Sequence, residues 1–430
     1  MRDEVLHAAL STLFANRADG YTKPSPKLYP HQWNWDSAFI SLGWMHVEWD
    51  RAVEEIESLL RGQWEDGMIP HIRYDRQSLS WYFPGPELWP NTRPRSPGEL
   101  TSGISQPPVL PTAAYRVGLA QRTVEKRLAW WRKIFPALRD YVLYFPRNRT
   151  VGTCPLIAVV HPWESGLDNS PRWDFAVSLG FRPQGSYARI DNKVVPPDQR
   201  PLDRDYDLYI YLVEVIASRG YNLEEYREIT PFLVYDVLFN AVWYRAARDV
   251  NRIAEALGEP PVVSAGSLEE FAASFRELLW NPAEGIYMDY NVKAGSQIPL
   301  VTAAGLVPIY AGLVDAASAR TMLDRYIARC PRCHLIPGVP PDQPGFEPGR
   351  YCRGPVWIHL NWMLIQGLEE LGCREESRRL QEATLSLVAT NGMYECFHAF
   401  TGQGCGSDQF SWTAALTIDL LMTSSARDRA

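Results

Sequence analysis

A chain of 430 residues with 46% hydrophobic and 22% charged side chains has the make-up of an ordinary globular protein, which excludes a disordered or fibrous one. A net charge of −7 without a basic cluster argues against a nucleic acid as partner, because that binding needs Lys and Arg to neutralise phosphates. No stretch approaches the roughly 18 uninterrupted apolar residues that a membrane span requires, and seven cysteines scattered over so long a chain do not read as a secreted disulfide framework.

At the start of the chain, residues 1–13 carry charges at Arg2, Asp3 and Glu4 and lack the apolar core of a secretion signal, so a cytoplasmic location is expected. Apolar residues recur at helical spacing near 3–15 and 36–47, and Ala52, Val53, Ile56, Leu59 and Leu60 then share one face among charged Glu54, Glu55 and Arg61. Further periodic segments lie near 126–143, 205–218, 234–257, 268–280, 311–328, 356–371, 375–390 and 409–422, roughly a dozen helices in all. Strand signals are few, the best being 156–160 leading into His161. The connections 64–100, 144–200, 281–305, 330–355 and 392–408 are long, and ordered loops of that length tend to be functional. The expectation is an all-α fold in one domain over 1–430, with loop insertions at about 64–100, 144–200 and 330–355 gathered at one end.

Those loops concentrate acids among aromatic rings. The chain has 16 Trp and 12% aromatic residues, many of them in Pro- and Gly-rich stretches such as 81–89. Flat rings stack on the apolar faces of sugars, though they also bury well in cores. Three segments pair an acid with such neighbours: Trp33-Asn34-Trp35-Asp36, Trp163-Glu164-Ser165-Gly166-Leu167-Asp168-Asn169, and Met393-Tyr394-Glu395-Cys396-Phe397-His398. Cleaving a glycosidic bond needs one carboxylic acid to protonate the leaving oxygen and one carboxylate to act on the anomeric carbon or on water. Apolar surroundings raise a carboxyl's pKa and keep such an acid protonated near neutrality. Each acid alone has a plainer reading: Asp36 as a helix N-cap, Glu164 as an ion-pair partner, Glu395 as a solvated loop residue. Cys330-Pro331-Arg332-Cys333-His334 fits haem attachment, a redox pair or half a zinc site. No second Cys-x-x-Cys completes a zinc site, and a pair of loop thiols is the plainer reading.

Taken together in order, the segments resemble glycoside hydrolase family 63 and its bacterial mannosylglycerate and glucosylglycerate hydrolase subgroup. The resemblance runs through Tyr29-Pro30-His31-Gln32-Trp33-Asn34-Trp35-Asp36, Gly67-Met68-Ile69-Pro70-His71, Tyr82-Phe83-Pro84-Gly85-Pro86 and Ser105-Gln106-Pro107-Pro108. It continues through 161–169, Arg200-Pro201 with Tyr206, Arg353-Gly354-Pro355-Val356-Trp357 and Phe410-Ser411-Trp412-Thr413. One departure stands out: Tyr351-Cys352-Arg353-Gly354 replaces the Tyr-Trp-Arg-Gly typical of the subgroup, exchanging a ring for a small thiol.

The resemblance implies an (α/α)6 barrel and hydrolysis with inversion, with Asp168 as general acid and Glu395 as the base that activates water. It further implies a sugar pocket of Tyr29, Trp33, Asp36, His71, Trp163, Tyr351, Trp357 and Gln409. The glycerate end would fall to Tyr82, Gln106, Arg200 and Tyr206, the planar fork of Arg suiting a carboxylate. The implied substrate is a small glycoside bearing a carboxylate, 2-O-α-mannosyl-D-glycerate or glucosylglycerate, with no cofactor and no metal. No nucleic-acid or membrane partner is implied, and homo-oligomerisation is left open. Rival readings are a trehalase-like α-glucosidase acting on a neutral oligosaccharide, a non-catalytic sugar-binding protein, and a His-dependent epimerase.

Overall fold

The computed structural model of the protein describes residues 2–92 and 94–427, without the side chains at 80, 81 and 424–427. Helices dominate it. In chain order the principal ones are α1 (Arg2–Ala15), α2 (Asn34–Trp44), α3 (Trp49–Leu60), α4 (Leu110–Ala120), α5 (Val124–Asn148), α6 (Asp203–Ser218) and α7 (Val237–Leu257). They continue with α8 (Ala265–Leu279), α9 (Pro308–Ala311), α10 (Ala316–Ala328), α11 (Ile358–Glu370), α12 (Arg374–Asn391) and α13 (Ser411–Arg427).

Packing sorts them into two rings. An inner ring closes through α2, α4, α7, α9, α11 and α13 back to α2, while α1 leans on α13, α3 on α2, α5 on α4 and α7, α8 on α7, and α12 on α11. This is the expected all-α (α/α)6 toroid, and the amino-acid pattern explains the division. Every residue of α2 is buried, as a helix with neighbours on all sides requires, whereas α3 buries Ala52, Ile56 and Leu59 and turns Glu54 and Glu57 outward. Glycine sets the closest inner approaches: a Cβ at Gly43 would lie 2.5 Å from the Ala415 backbone, and one at Gly367 would lie 2.6 Å from that of Ile309. One contiguous apolar cluster runs from Val5 to Leu421.

Four expectations shift in detail, the first being that the inner helix α4 (Leu110–Ala120) forms where no periodic segment is expected. The 205–218 helix exists but stands outside the rings, packed as α6 against the short helix Asp174–Val177 on the loop side. The 311–328 segment divides at Gly312, whose φ of 69° ends the one-turn helix α9 before Asp315 caps α10 through the Ser318 N–H. Periodicity from 234 also hid a strand pair, for Val234–Tyr235 precedes Asp236, and that carboxylate caps α7 by accepting from Phe239 N at 2.6 Å. The expected strand survives as Ala158–Val159, edge of a four-stranded antiparallel sheet completed by Val234–Tyr235, Tyr290–Asn291 and Ser296–Gln297. Among the described residues, no helix is long and apolar enough to cross a membrane.

Candidate active site

The inner helices α2 and α13 begin at one end of the toroid, where the long loops converge on a cavity of about 710 Å³, part of it open to solvent. Asp36 enters it from the first turn of α2, and Phe410 and Trp412 from the start of α13. Of the residues expected at the site, Tyr29, Trp33, Asp36, His71, Tyr82, Gln106, Trp163, Asp168, Arg200, Tyr206, Tyr351 and Glu395 all line it.

Asp168 is placed by a turn that separates it from the other acid of its motif. Pro162–Ser165 forms one helical turn, Gly166 follows at φ 71°, and the chain reverses so that Glu164 and Asp168 face opposite ways. Glu164 is buried in an ion pair with Arg149 at 2.9 Å and accepts from Val160 N and Ser105 N, the structural role of its plainer reading. Asp168 instead faces the cavity. Its own carbonyl is fixed by Tyr209 Oη at 2.7 Å, and its carboxyl has the Cys352 thiol 3.9 Å from Oδ1. Burial pushes its pKa up to about 7, with the charge of Glu395 adding to the rise and Arg200 opposing it.

Glu395 comes from the opposite side of the chain and is held far more firmly. Oε1 accepts from Tyr29 Oη at 2.9 Å and Oε2 from Ser407 N at 3.1 Å, while Arg200 Nη1 stands 3.7 Å from Oε1. Burial raises its pKa too, but Arg200, the Ser407 amide and Tyr29 all favour the ionised form. The residue at 406 must be glycine, because its φ is 73° and a Cβ would lie 2.2 Å from Glu395 Oε2. Asp36 is also pushed well above the usual carboxylate range by burial and by Glu395, and it accepts no side-chain hydrogen bond among the described residues.

Arg200 is the cation of the cavity. Its Nε donates to Asp191 Oδ2 at 3.0 Å, its guanidinium lies 4.3 Å from the Tyr351 ring centre, and its buried Nη1 has no hydrogen-bond partner among the described residues. Its ion pair with Glu395 at 3.7 Å is too long for a hydrogen bond, and a buried donor without one is costly, so this atom can take an acceptor that arrives with a ligand. Gln106 Oε1 accepts from Trp35 N at 3.0 Å, leaving its NH2 end without a protein partner among the described residues. His71 is not a second cation: burial holds its pKa well below 6.5, and its Nδ1 sits 2.6 Å from Ser102 Oγ.

Two expected residues lie elsewhere. Trp357 is buried behind the wall, edge-on to Tyr351 at 5.4 Å and to Trp412 at 5.8 Å. Gln409 is exposed, because its φ of 50° turns the chain just before α13, and its backbone carbonyl accepts from Asn16 Nδ2 at 2.7 Å. Conversely Trp35, Pro84, Gly166, Phe410 and Trp412 line the cavity without having been singled out, although all sit inside the motifs. Among the described residues, no group of three or more His, Cys, Asp or Glu is arranged to hold a metal ion.

The model of the mannosylglycerate hydrolase MGH1-like glycoside hydrolase domain matches residues 29–413, a span that contains every lining residue of this cavity. The chain belongs to that family. As a member of it, the chain is a glycoside hydrolase. It is 37% identical to the mannosylglycerate hydrolase of Rubrobacter radiotolerans over 98% of this chain and 97% of that one. It is 34% identical to the glucosylglycerate hydrolase of Mycolicibacterium hassiacum over 93% and 94%. Among solved structures it superposes with TM-score 0.91 on the family 63 mannosylglycerate hydrolase of Thermus thermophilus in complex with Tris and D-glycerate, at 38% identity and covering 96% of this chain and 99% of that one.

Proposed function

We propose that this glycoside hydrolase cleaves 2-O-α-mannosyl-D-glycerate, and glucosylglycerate as a second substrate, with inversion at the anomeric carbon. The carrying observation is that one cavity holds two acids held differently: Asp168, half-buried and raised to about 7, and Glu395, buried and also raised by burial but countered by hydrogen bonds from Tyr29 Oη and Ser407 N and by the Arg200 charge 3.7 Å away. Asp168 delivers its proton to the glycosidic oxygen while Glu395 removes a proton from the attacking water, which adds to the anomeric carbon from the other face. Glycerate leaves with the Asp168 proton, the sugar gains the hydroxyl, and solvent exchange resets both acids.

Three further features support the substrate. Arg200, whose Nη1 is ion-paired with Glu395 at 3.7 Å but makes no hydrogen bond among the described residues, supports a carboxylate on the ligand, with Tyr82, Gln106 and Tyr206 also lining the cavity. Trp33, Trp163 and Tyr351 offer rings to the sugar, and Asp36, lacking a side-chain donor of its own, accepts from sugar hydroxyls. The relatives named above act on mannosylglycerate and glucosylglycerate, and the Thermus structure holds D-glycerate. We assign the activity to residues 1–430 as one catalytic domain.

Incubation with mannosylglycerate, glucosylglycerate and trehalose, followed by NMR, tests this directly. The expected result is β-anomer first, from the two glycerates and not from trehalose. Trehalose cleavage with both glycerates untouched, or α-anomer appearing first, would overturn it.

A further inference from the structure

The motif Cys330-Pro331-Arg332-Cys333-His334 takes no part in the cavity. The Cys333 N–H donates to the Cys330 carbonyl at 3.1 Å, closing a four-residue turn with Pro331 at its second position, where proline's fixed φ suits the geometry. Such a turn holds its end Cα atoms within about 7 Å, a range that overlaps the roughly 4.4–6.8 Å window a disulfide bridges. Both thiols are free. Cys330 is buried and Cys333 half-buried between exposed Arg332 and His334, so a small reagent reaches Cys333 first. A hydrogen bond from Cys330 and the charge of Arg332 hold the Cys333 thiol below its usual pKa, while the same partnership raises that of Cys330. An accessible, more acidic thiol beside a buried protonated one divides the work between an attacking and a resolving sulfur.

We propose that Cys330 and Cys333 form a reversible disulfide site, separate from the sugar cavity, that is oxidised by low-molecular-weight disulfides. The Cys333 thiolate attacks one sulfur of the reagent, the reagent's S–S bond breaks, and one thiol departs with a proton. Cys330 then attacks the Cys333 sulfur and expels the second thiol. The protein dithiol loses two electrons and the reagent gains them as two thiols. The turn follows the C-terminal end of α10, so the lowered pKa of Cys333 owes nothing to a helix N-terminus.

The turn also touches the catalytic hairpin. His334 N donates to Ala399 O at 3.2 Å and the Arg332 guanidinium lies 5.7 Å from the Phe400 ring centre. That loop joins the paired strands Cys396–Phe397 and Gly404–Cys405, which are flanked by Glu395 and Gly406. The same ladder sets Cys396 opposite Cys405, both buried, and these form the competing pair.

The test exposes the full-length enzyme to oxidised glutathione, alkylates the remaining thiols and maps peptides by mass. The expected result is loss of two hydrogens on the peptide spanning 330–333, reversed by dithiothreitol. In Cys330→Ser the expected product is a stable glutathione adduct on Cys333, and in Cys333→Ser no adduct, with sugar release unchanged in both untreated variants. Full alkylation of both thiols, a bridge between Cys396 and Cys405 instead, or the adduct on Cys330 would overturn the proposal. The readout is mass, so it stands or falls apart from the substrate assignment.

Discussion

Two aspartates, Asp419 buried along α13 and Asp168 half-buried at the cavity, show how differently one toroid treats charge. Asp419 sits two turns along α13 from the cavity and accepts from His46 Nε2 at 2.8 Å, Arg116 Nη2 at 3.1 Å and Trp362 Nε1 at 2.8 Å. Although burial opposes ionisation, Arg116 and His46 outweigh it, and the carboxyl lies below its usual 3.8. Asp168 has one distant thiol at its carboxyl and rises to about 7. Linkage gives the two opposite signs. Asp419 contributes stability above pH 3.8 that is lost as pH falls through its depressed value, whereas Asp168 contributes below pH 3.8 and loses that contribution as pH rises through about 7. A satisfied charge holds the scaffold; an unsatisfied one is retained for what it does to a ligand.

The contrast can be broken residue by residue. Asp168→Asn keeps the shape and removes the proton donor, so kcat is expected to fall about 10²–10⁴-fold with Tm unchanged or raised. Steady-state kinetics and a thermal melt check both halves. Asp419→Asn should do the reverse, costing on the order of 3 kcal/mol of stability by denaturant unfolding while kcat holds, because Arg116 and His46 lose their counter-charge. Arg200→Lys keeps the charge but loses the fork, and an about tenfold rise in KM for mannosylglycerate is expected. The methyl ester of the substrate should show no such dependence on residue 200. Smallest is Cys352→Ala: the thiol hydrogen stabilises ionised Asp168, so its loss should move the alkaline limb of kcat/KM upward by about half a pH unit.

Much of this was legible in the sequence because the chemistry is local. The motif strings located twelve of the fourteen expected lining residues, and helical spacing found most of the ring helices but missed the inner helix α4 (Leu110–Ala120). What spacing did not carry was direction. Glu164 and Asp168 share one motif, and only the left-handed Gly166 decides that the first turns inward to Arg149 and the second to the cavity. Gln409 was misplaced for the same reason, a positive φ in a non-glycine residue that leaves no compositional mark. Trp357 and Trp412 read alike as aromatic residues at a helix start, yet one stands behind the other. The position of α6 outside the rings is likewise a tertiary fact, since its apolar face looks like that of any ring helix.

The central claim is that burial leaves Asp168 a proton to give at neutral pH. Carbon-13 NMR titration of aspartate-labelled enzyme, assigned with Asp168→Asn and Asp419→Asn, reads it directly. The expected spectrum has Asp168 titrating near pH 7 and Asp419 still ionised below pH 3.8. An Asp168 carboxyl that titrates near 4 would contradict the account.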